Sequence, residues 1–389
     1  MNGFDFFLPT RLIFGPGRLS EVGEQTKRFG KTAAIVIDRF LAETGLYKRI
    51  EQCLLEHGVR SFAFTGVEPN PLCSIVNQTA ELFKDKNIDF VIGVGGGSSI
   101  DFAKALAVAL THDGDIWHYV NEPGRPVGEI TSKTLPVVAV PTTSGTGAEM
   151  TAVSVLVNPE THVKRGLYSE KIYPVMAIID PELMLTIPRN LTATTGIDAL
   201  SHAIEAYIST DANPFSDMVA IEAMRQISDS LPAAINSGQK IEARSSMAWG
   251  SALAGIAISS SCVTLVHALA HPLGGRFNIG HGEAIAMGLI PVMRRTWMLD
   301  IPKFGKIAEA LGVCTHNMSP KSAAKSSINA LTELIEETGL SLRLGNFGVR
   351  QTDLDKLAED ATGYMAGCLE SHPHVCSVEE VKNIFLEMF

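Results

Sequence analysis

Residues 89–110 have the sequence DFVIGVGGGSSIDFAKALAVAL, the most informative segment for the architecture of the chain. An apolar run rich in β-branched residues is followed by three consecutive glycines and then by apolar residues at helical spacing. This order predicts a buried strand, a tight turn and a helix. Glycines let the backbone approach a ligand closely, and the first N–H groups of a helix attract phosphate. The pattern therefore predicts a phosphate-binding turn, although a turn without a ligand would look similar.

Two residues of this turn have the spacing of a capping box. Ser98 precedes Asp101 by three positions, and that pair would fix the start of the helix. We expect Asp101 to belong to the cofactor-binding turn as well.

The same alternation continues on both sides of this stretch. Further apolar, β-branched runs at residues 32–38, 61–66, 135–143 and 175–180 predict strands, and residues 46–58 and 75–87 have helical spacing. Strands that read as continuous apolar runs are typical of a parallel sheet covered on both faces. The sequence thus predicts an α/β domain with a Rossmann-like, dinucleotide-binding parallel sheet.

The pattern changes near residue 187. Beyond it, helical spacing dominates, in residues 196–208, 216–235, 243–258, 320–339 and 377–389. A chain of 389 residues is long for a single core. We therefore expect an α/β dinucleotide-binding domain at residues 1–187 and an all-helical, metal-binding domain at residues 188–389.

Polar residues that follow the predicted strands are candidates for contact with a dinucleotide. Asp38 ends a strand, and a carboxylate there binds ribose hydroxyls and repels a 2′-phosphate, which favours NAD over NADP. A helix cap is an equally good explanation of Asp38. The loop at residues 140–149 offers Thr142, Thr143 and Thr146 as further donors, although an ordinary polar loop has the same composition.

Two D/H-x-x-x-H pairs point to a metal site. Asp198 and His202 are four residues apart, so a helix places them on one face, and His267 and His271 repeat that spacing. His281 follows a glycine-rich turn that would fold the chain back. One carboxylate and three imidazoles, from Asp198, His202, His267 and His281, suit Fe²⁺ or Zn²⁺ rather than Ca²⁺ or Mg²⁺. If His271 does not bind the metal, one coordination position stays open for substrate.

Composition excludes several classes of partner. The net charge is −10 and no basic run occurs, which argues against a nucleic-acid partner. The apolar residues 251–270 are interrupted by polar residues and predict a buried helix or helix pair rather than a membrane span. The N-terminus lacks the pattern of a secretory signal, and six scattered cysteines fit reduced thiols, so we expect a cytoplasmic protein.

Four stretches together resemble the iron-activated (group III) alcohol dehydrogenases. They are GGGSSID from Gly95, PTTSGTGAE from Pro141, GIDALSHAIEAY from Gly196 and HALAHPLGGRFNIGHGEA from His267. The resemblance extends over almost the whole chain. It implies a dehydroquinate synthase-like architecture, with an α/β dinucleotide-binding domain, an all-helical domain and an active site in the cleft between them.

The resemblance also implies roles for individual residues. Iron would bind Asp198, His202, His267 and His281, and His271 matches a histidine near the substrate that does not bind the metal. The pyrophosphate of NAD would lie against Gly96, Gly97 and Ser98, and its adenosine ribose against Asp38. The remaining positions that would line the cofactor site are Asn70, Thr142, Thr143, Thr146 and Lys164.

We expect, on this resemblance, an NAD(H)-dependent alcohol dehydrogenase that interconverts a small primary alcohol or diol with its aldehyde or ketone. The alternatives are a zinc-dependent glycerol dehydrogenase type and a lyase of the dehydroquinate synthase type, since the HGEA beginning at His281 is similar to that branch. A third alternative is a catalytically inactive protein that binds NAD or a metal, and any turnover would exclude it. We also expect a homodimer or larger homo-oligomer, with the apolar residues 4–14 supplying an edge strand for pairing.

Overall fold

The structure is a computed structural model that describes residues 3–122 and 124–389. The chain forms two compact units. The first, here called the sheet unit, comprises Leu8–Thr143 and Ala148–Met184. The second, the helical unit, comprises Leu185–Phe389 together with residues 3–7 and Ser144–Gly147. The predicted domain boundary at residue 187 therefore lies just inside the helical unit, and the independence of the two domains stays a prediction.

Among its described residues, the sheet unit contains eight strands. They are β1 (Arg11–Phe14), β2 (Thr32–Ile37), β3 (Arg60–Phe64), β4 (Phe90–Gly95), β5 (Val137–Pro141), β6 (Val153–Val157), β7 (Lys164–Tyr168) and β8 (Met176–Ile179). Six of them form a sheet in the order β1-β8-β5-β4-β2-β3, in which every neighbouring pair is parallel. Strands β6 and β7 form a separate antiparallel pair.

The register of the sheet brings three strand ends to one edge. Ile37 at the end of β2 lies beside Val94 of β4, and Val94 lies beside Val140 of β5. The chain segments that follow these three strands therefore begin at the same carboxyl edge, where open α/β sheets bind their ligands. Strands β2, β4 and β5 are buried along their whole length, and each buried Val or Ile stabilises the sheet by about 1.5–3 kcal/mol.

The described part of the sheet unit also has five α-helices. They are α1 (Val22–Thr26), α2 (Arg39–Glu43), α3 (Leu46–Glu56), α4 (Cys73–Phe83) and α5 (Gly97–Ala109). Helix α5 follows β4 directly and is the most deeply buried of the longer ones, because most of its residues, Lys104 included, are shielded from solvent.

The helical unit is built from ten helices within the described residues. They are α6 (Arg189–Ile208), α7 (Pro214–Asn236), α8 (Ile241–Ser260), α9 (Leu265–Phe277), α10 (His281–Thr296), α11 (Ile301–Ala310), α12 (Pro320–Thr338), α13 (Leu354–Tyr364), α14 (Ala366–Glu370) and α15 (Val378–Glu387). Asn213 caps α7 through a capping box, with Pro214 at the first helical position, which is where proline's missing N–H costs nothing.

The predicted fold class, an α/β parallel sheet plus an all-helical part, is confirmed. The five predicted strands correspond to β2, β3, β4, β5 and β8. Strand β1 lies within residues 4–14, where an edge strand was expected, whereas β6 and β7 were not predicted.

Residues 251–270 form the end of α8 and the start of α9, as the predicted helix pair. Among the residues that the structure describes, no single helix is long and apolar enough to cross a membrane. Helices α8 and α9 pass that test only when taken together, and they are bent by 102° at the break between them.

Candidate active site

The metal-binding candidates on helix α6 lie on one buried face. Asp198 and His202 are one helical turn apart, so their side chains point the same way. Their exposed fractions are 2% and 5%. A buried carboxylate is costly unless a partner compensates its charge, so this face of the helix requires a cation or a donor.

Helices α9 and α10 bring the other two candidates to the same place. His267 lies in the first turn of α9, and His281 is the first residue of α10. The chain folds back between them as predicted, but the residue in the left-handed conformation is Asn278, with φ of 51°, rather than a glycine. A Cβ atom on Gly282 would lie 2.6 Å from the carbonyl oxygen of Thr194, so only glycine allows α10 this close to α6.

The four predicted metal ligands converge. The Nε2 atoms of His202 and His267 are 2.9 Å apart. Oδ1 of Asp198 lies 3.7 Å from Nε2 of His267 and 3.6 Å from Nε2 of His281. One donor atom from each of the four residues lies within 4.8 Å of all the others. All four residues belong to the helical unit.

The donor set fits a divalent transition metal. Within residues 3–122 and 124–389, the buried Oδ1 of Asp198 has no hydrogen-bond partner, which a protein rarely tolerates without an ion or water. Three imidazole nitrogens and one carboxylate oxygen are the ligands that Fe²⁺ and Zn²⁺ accept. His271 is buried nearby, with its ring centre 6.2 Å from that of His281, and is not one of the four clustered residues.

A loop outside the long helical segment contacts His202. The segment Ser144–Gly147, which belongs to the helical unit, places the carbonyl oxygen of Gly145 3.3 Å from Nδ1 of His202. A Cβ atom on Gly145 would lie 2.7 Å from Cβ of Thr195, so this approach requires glycine. Burial lowers the pKa of His202, and the charge of Asp198 only partly opposes that effect. The ring is thus neutral, as a metal ligand must be.

Glu205 contacts His267 from the side opposite the cluster. Its carboxylate is fully buried, and Oε2 accepts a hydrogen bond from Nδ1 of His267. Burial alone would lower the pKa of His267, but the charge and the hydrogen bond of Glu205, together with the charge of Asp198, outweigh burial and raise it. Burial likewise opposes ionisation of Glu205, and His267 and the surrounding donors outweigh it, so the pKa of Glu205 is lowered.

The sequence analysis missed Glu205 and Gly145. Glu205 lies three positions after His202 and seven after Asp198, which puts it on the same helical face as both. That spacing is the signal that could have identified Glu205. No signal existed for Gly145, because its contribution is a backbone carbonyl.

The carboxyl edge of the sheet brings several predicted cofactor residues together. The backbone N–H of Thr142 donates to the carbonyl of Gly95 at 2.9 Å, so the β4–α5 turn and the loop after β5 are neighbours. A Cβ atom on Gly96 would lie 3.4 Å from Oγ1 of Thr143. Gly97 and Ser98 occupy the first turn of α5, where backbone N–H groups have no intrahelical acceptor. The turn can therefore accept an anion such as a pyrophosphate.

Asp38 caps a helix and also faces the glycine turn. Its Oδ1 accepts a hydrogen bond of 2.9 Å from the N–H of Leu41 at the start of α2. Its Oδ2 would lie 3.6 Å from a Cβ atom built on Gly95. The cap explains one carboxylate oxygen and leaves the other beside the turn, so binding to a ribose stays a prediction.

Asn70 and Lys164 are brought together by the sheet unit. Nζ of Lys164 donates to Oδ1 of Asn70 at 2.8 Å. The lysine lies in strand β7 and is buried. Asn70 adopts a φ of 55°. Their common role at a cofactor remains a prediction.

The predicted capping box of helix α5 is wrong. The helix starts at Gly97, so Ser98 lies inside it, and the N-cap residue Gly96 makes no side-chain cap. Asp101 instead accepts a hydrogen bond of 3.0 Å from the N–H of Val155, and its Oδ1 lies 3.7 Å from Nζ of Lys104. Asp101 thus attaches α5 to β6, and its contact with a cofactor stays a prediction.

Comparisons with known proteins agree with this arrangement. Residues 9–181 match the family model described as iron-containing alcohol dehydrogenase, and residues 192–389 match its C-terminal counterpart. The chain is 39% identical over 389 residues to the 1,3-propanediol dehydrogenase of Citrobacter freundii, covering 99% of both chains. It is 37% identical over 383 residues to the NAD-dependent methanol dehydrogenase of Bacillus methanolicus, covering 98% of both.

A solved structure has the same fold. The archaeal halo-thermophilic alcohol dehydrogenase of a Red Sea brine pool superposes with a TM-score of 0.95 at 33% identity, and each chain is covered completely. A parallel dinucleotide-type sheet, a helical unit and a largely buried Asp–His₃ cluster define a metal-dependent oxidoreductase. More specifically, the chain belongs to the iron-containing alcohol dehydrogenase family, whose members act on CH–OH groups. These findings favour the predicted dehydrogenase over the glycerol dehydrogenase and dehydroquinate synthase alternatives.

Proposed function

We propose that this chain is an NAD(H)-dependent alcohol dehydrogenase that uses a divalent metal, Fe²⁺ first and Zn²⁺ as the alternative. The observation that carries the proposal is the convergence of four donor residues, three of them buried and His281 partly exposed, around the unsatisfied Oδ1 of Asp198. The printed name of the Bacillus methanolicus relative supports NAD as the cofactor, and NADP is the less favoured alternative because of Asp38.

Asp198, His202, His267 and His281 would hold the cation. When bound there, the cation supplies a positive charge that lowers the pKa of an alcohol hydroxyl. Asp198 provides the negative charge of the site, and the burial of Asp198, His202 and His267 limits the access of water to it. His271, close to the cluster but outside it, is the proposed catalytic residue that passes the hydroxyl proton onward through a ring nitrogen.

The carboxyl edge of the sheet would hold NAD, which supplies the nicotinamide ring that exchanges a hydride with the carbinol carbon. Gly96, Gly97 and Ser98 would bind its pyrophosphate at the start of α5, and Asp38 would accept hydrogen bonds from the ribose. The other residues that we place at this site are Asn70, Asp101, Thr142, Thr143, Thr146 and Lys164.

The substrate that we propose is a small primary alcohol or diol, or its aldehyde or ketone. Methanol and 1,3-propanediol appear in the names of two relatives whose sequences align with this chain over nearly their whole length. We also propose a cytoplasmic location, which the six free thiols favour because reducing compartments keep cysteines unpaired.

We propose a homodimer or larger homo-oligomer. Strand β1 lies at one edge of the six-stranded sheet, where unpaired backbone groups can pair with another chain. The preceding segment exposes the large apolar residues Phe4, Phe6 and Phe7. Sedimentation of the purified protein tests this point, and a monomer at all concentrations would contradict it.

The test of the proposed activity starts from metal-stripped protein. NADH formation is followed with ethanol, 1-butanol, 1,2-propanediol, 1,3-propanediol and glycerol, each with Fe²⁺ or Zn²⁺ added back. We expect turnover only with metal present. The variant His267→Ala should lose metal and activity together, and full activity of that variant without bound metal would refute the assignment.

A further inference from the structure

A buried carboxylate lies behind the proposed metal site and has no role in the function proposed above. Glu205 is on helix α6, and both of its oxygens are occupied by donors from other parts of the helical unit. We propose that Glu205 is the positioning residue that fixes the ring of His267, with its proton on Nδ1 and the Nε2 lone pair facing the metal cluster. This inference rests on the proposed metal site.

The position of Oε1 is set by backbone groups. Oε1 accepts hydrogen bonds from the N–H of Thr264 at 3.0 Å, the N–H of Val266 at 2.8 Å and Oγ1 of Thr264 at 2.7 Å. Thr264 precedes helix α9 and Val266 lies in its first turn. The carboxylate of Glu205 therefore caps the N-terminus of α9, where a negative charge is favourable. Backbone donors cannot rotate away, so Oε1 has one possible place.

The position of Oε2 follows from that of Oε1. Oε2 faces Nδ1 of His267, the third residue of α9, and receives a second, longer hydrogen bond of 3.3 Å from Oγ of Ser201. An ionised carboxylate only accepts hydrogen bonds, so the proton must lie on Nδ1 of His267. Nε2, which is 2.9 Å from Nε2 of His202, is left with its lone pair free to bind a metal.

A second chain of donors reaches Glu205 from the other side. Burial lowers the pKa of His372 to about 4, so its ring is neutral. Oγ1 of Thr264 donates to Glu205 and can therefore only accept, at 3.2 Å, from Nδ1 of His372. On its other side, Nε2 of His372 lies 3.1 Å from Oγ1 of Thr296, whose hydroxyl also donates to the carbonyl oxygen of Val292 at 2.9 Å. The hydroxyl of Thr264 and Nδ1 of His372 thus both donate in the direction of Glu205, as expected of an ionised carboxylate.

Glutamine at position 205 gives a specific prediction. The N–H groups of Thr264 and Val266 require an acceptor, so the amide oxygen of Glu205→Gln would occupy the place of Oε1. The amide NH₂ would then face Nδ1 of His267 and donate to it. The ring would be forced to carry its own proton on Nε2, and that tautomer cannot bind a metal. If Glu205 served only to cap α9, Glu205→Gln would leave the metal affinity unchanged, because the amide oxygen still caps the helix.

The first measurement is the affinity for Zn²⁺, used as the probe metal, by chelator competition on the full-length protein. We expect Glu205→Gln to weaken Zn²⁺ binding by about 10–100-fold, in the range found for other groups that support a metal ligand, with little change in Tm. Glu222→Gln on helix α7, where an exposed carboxylate is paired with Arg225, is the matched control and should bind Zn²⁺ normally.

The second measurement determines the tautomer of His267 directly. With ¹⁵N-labelled histidine, NMR of the metal-free wild-type protein above its histidine pKa values should show His267 protonated on Nδ1, with His267→Asn used for assignment. Glu205→Gln should show the Nε2-protonated form. A wild-type ring protonated on Nε2, or a Glu205→Gln variant with unchanged Zn²⁺ affinity, would overturn the inference.

Failure of the metal site itself is distinguishable. If the wild-type protein binds no Zn²⁺, or if His281→Ala binds Zn²⁺ as well as the wild type does, the proposed metal site is wrong. The proposed role of Glu205 is then wrong as well. If the wild-type site binds Zn²⁺ and Glu205→Gln binds it equally well, only the inference about Glu205 is wrong.

Discussion

Two adjacent glycines should give opposite phenotypes when each is replaced by alanine. Gly95 has a φ of 142°, and a Cβ atom there would lie 2.5 Å from Oγ and 2.8 Å from Cβ of Ser99. Gly96 has a φ of −76° and a ψ of −172°, which any residue can adopt. Its Cβ atom would meet only Thr143, at 3.4 Å from Oγ1 and 3.6 Å from Cγ2. The first glycine is required by the fold, and the second is open towards the proposed pyrophosphate.

The magnitudes follow from these contacts. Gly95→Ala combines a backbone conformation restricted to glycine, which costs about 1–3 kcal/mol, with overpacking of about 1–3 kcal/mol. A total near 3 kcal/mol would lower Tm by about 6–12 °C in a unit of this size. Gly96→Ala should change stability by about 1 kcal/mol or less. Its methyl group would instead displace the pyrophosphate, and a loss of about 1–3 kcal/mol weakens NADH binding roughly tenfold to a hundredfold.

The assay measures both properties on both variants. Tm is taken from thermal unfolding, and the Kd for NADH is taken from fluorescence titration of the metal-free protein. Wild-type affinity in Gly96→Ala would refute the placement of the pyrophosphate against this glycine. Wild-type Tm in Gly95→Ala would refute the steric argument for the turn itself.

Further variants test the remaining assignments. The variant His271→Gln should keep its bound metal, but its kcat should fall by about 10²–10⁴-fold, because the substitution removes a proton-transfer group and no metal ligand. Metal analysis together with steady-state kinetics checks this prediction. Loss of the metal would show that His271 is a ligand. Lys164→Met and Asn70→Ala should each weaken NADH binding. The double variant should bind NADH no more weakly than either single variant, because Nζ of Lys164 donates a hydrogen bond to Oδ1 of Asn70. Additive losses of affinity in the titration would show that the two residues act separately. For acid stability, burial lowers the pKa of His372 from 6.5 to about 4. The folded state therefore resists protonation, and its stability is complete above pH 6.5 and falls as the pH drops towards 4, by about 3 kcal/mol at most. Denaturant unfolding of His372→Gln should show a shallower fall over that interval, and an identical fall would assign the acid sensitivity to other groups.

The elements that the sequence predicted well are those whose burial is uniform. Strands β2, β4 and β5 are buried on both faces, so their sequences are continuous apolar runs, and the glycine turn after β4 is unambiguous. Strand β1 is only partly buried, and β7 begins with Lys164 and Arg165, which are buried in spite of their charge. Short strands with mixed or charged residues resemble loops, because sequence periodicity reports burial more directly than backbone pairing.

The metal site was predictable because helical spacing and ligand chemistry coincide in the same residues. Asp198 and His202 are one helical turn apart, and packing alone does not explain a carboxylate and an imidazole on the same apolar face of a helix. Glu205 was missed because its partner His267 is 62 positions further along the chain, and only the packing of α9 against α6 reveals the pair. The start of α5 was misplaced because a glycine N-cap leaves no side-chain signal.

The short loop Ser144–Gly147 limits how this enzyme can be recombined with its relatives. The loop belongs to the helical unit although the chain on either side of it belongs to the sheet unit, and its Gly145 carbonyl contacts His202. A chimaera joined at a single crossover near residue 185 would take this loop from one parent and the four proposed ligands from the other. Functional chimaeras should therefore need a second pair of junctions around the loop, so that His202 and its acceptor are inherited together.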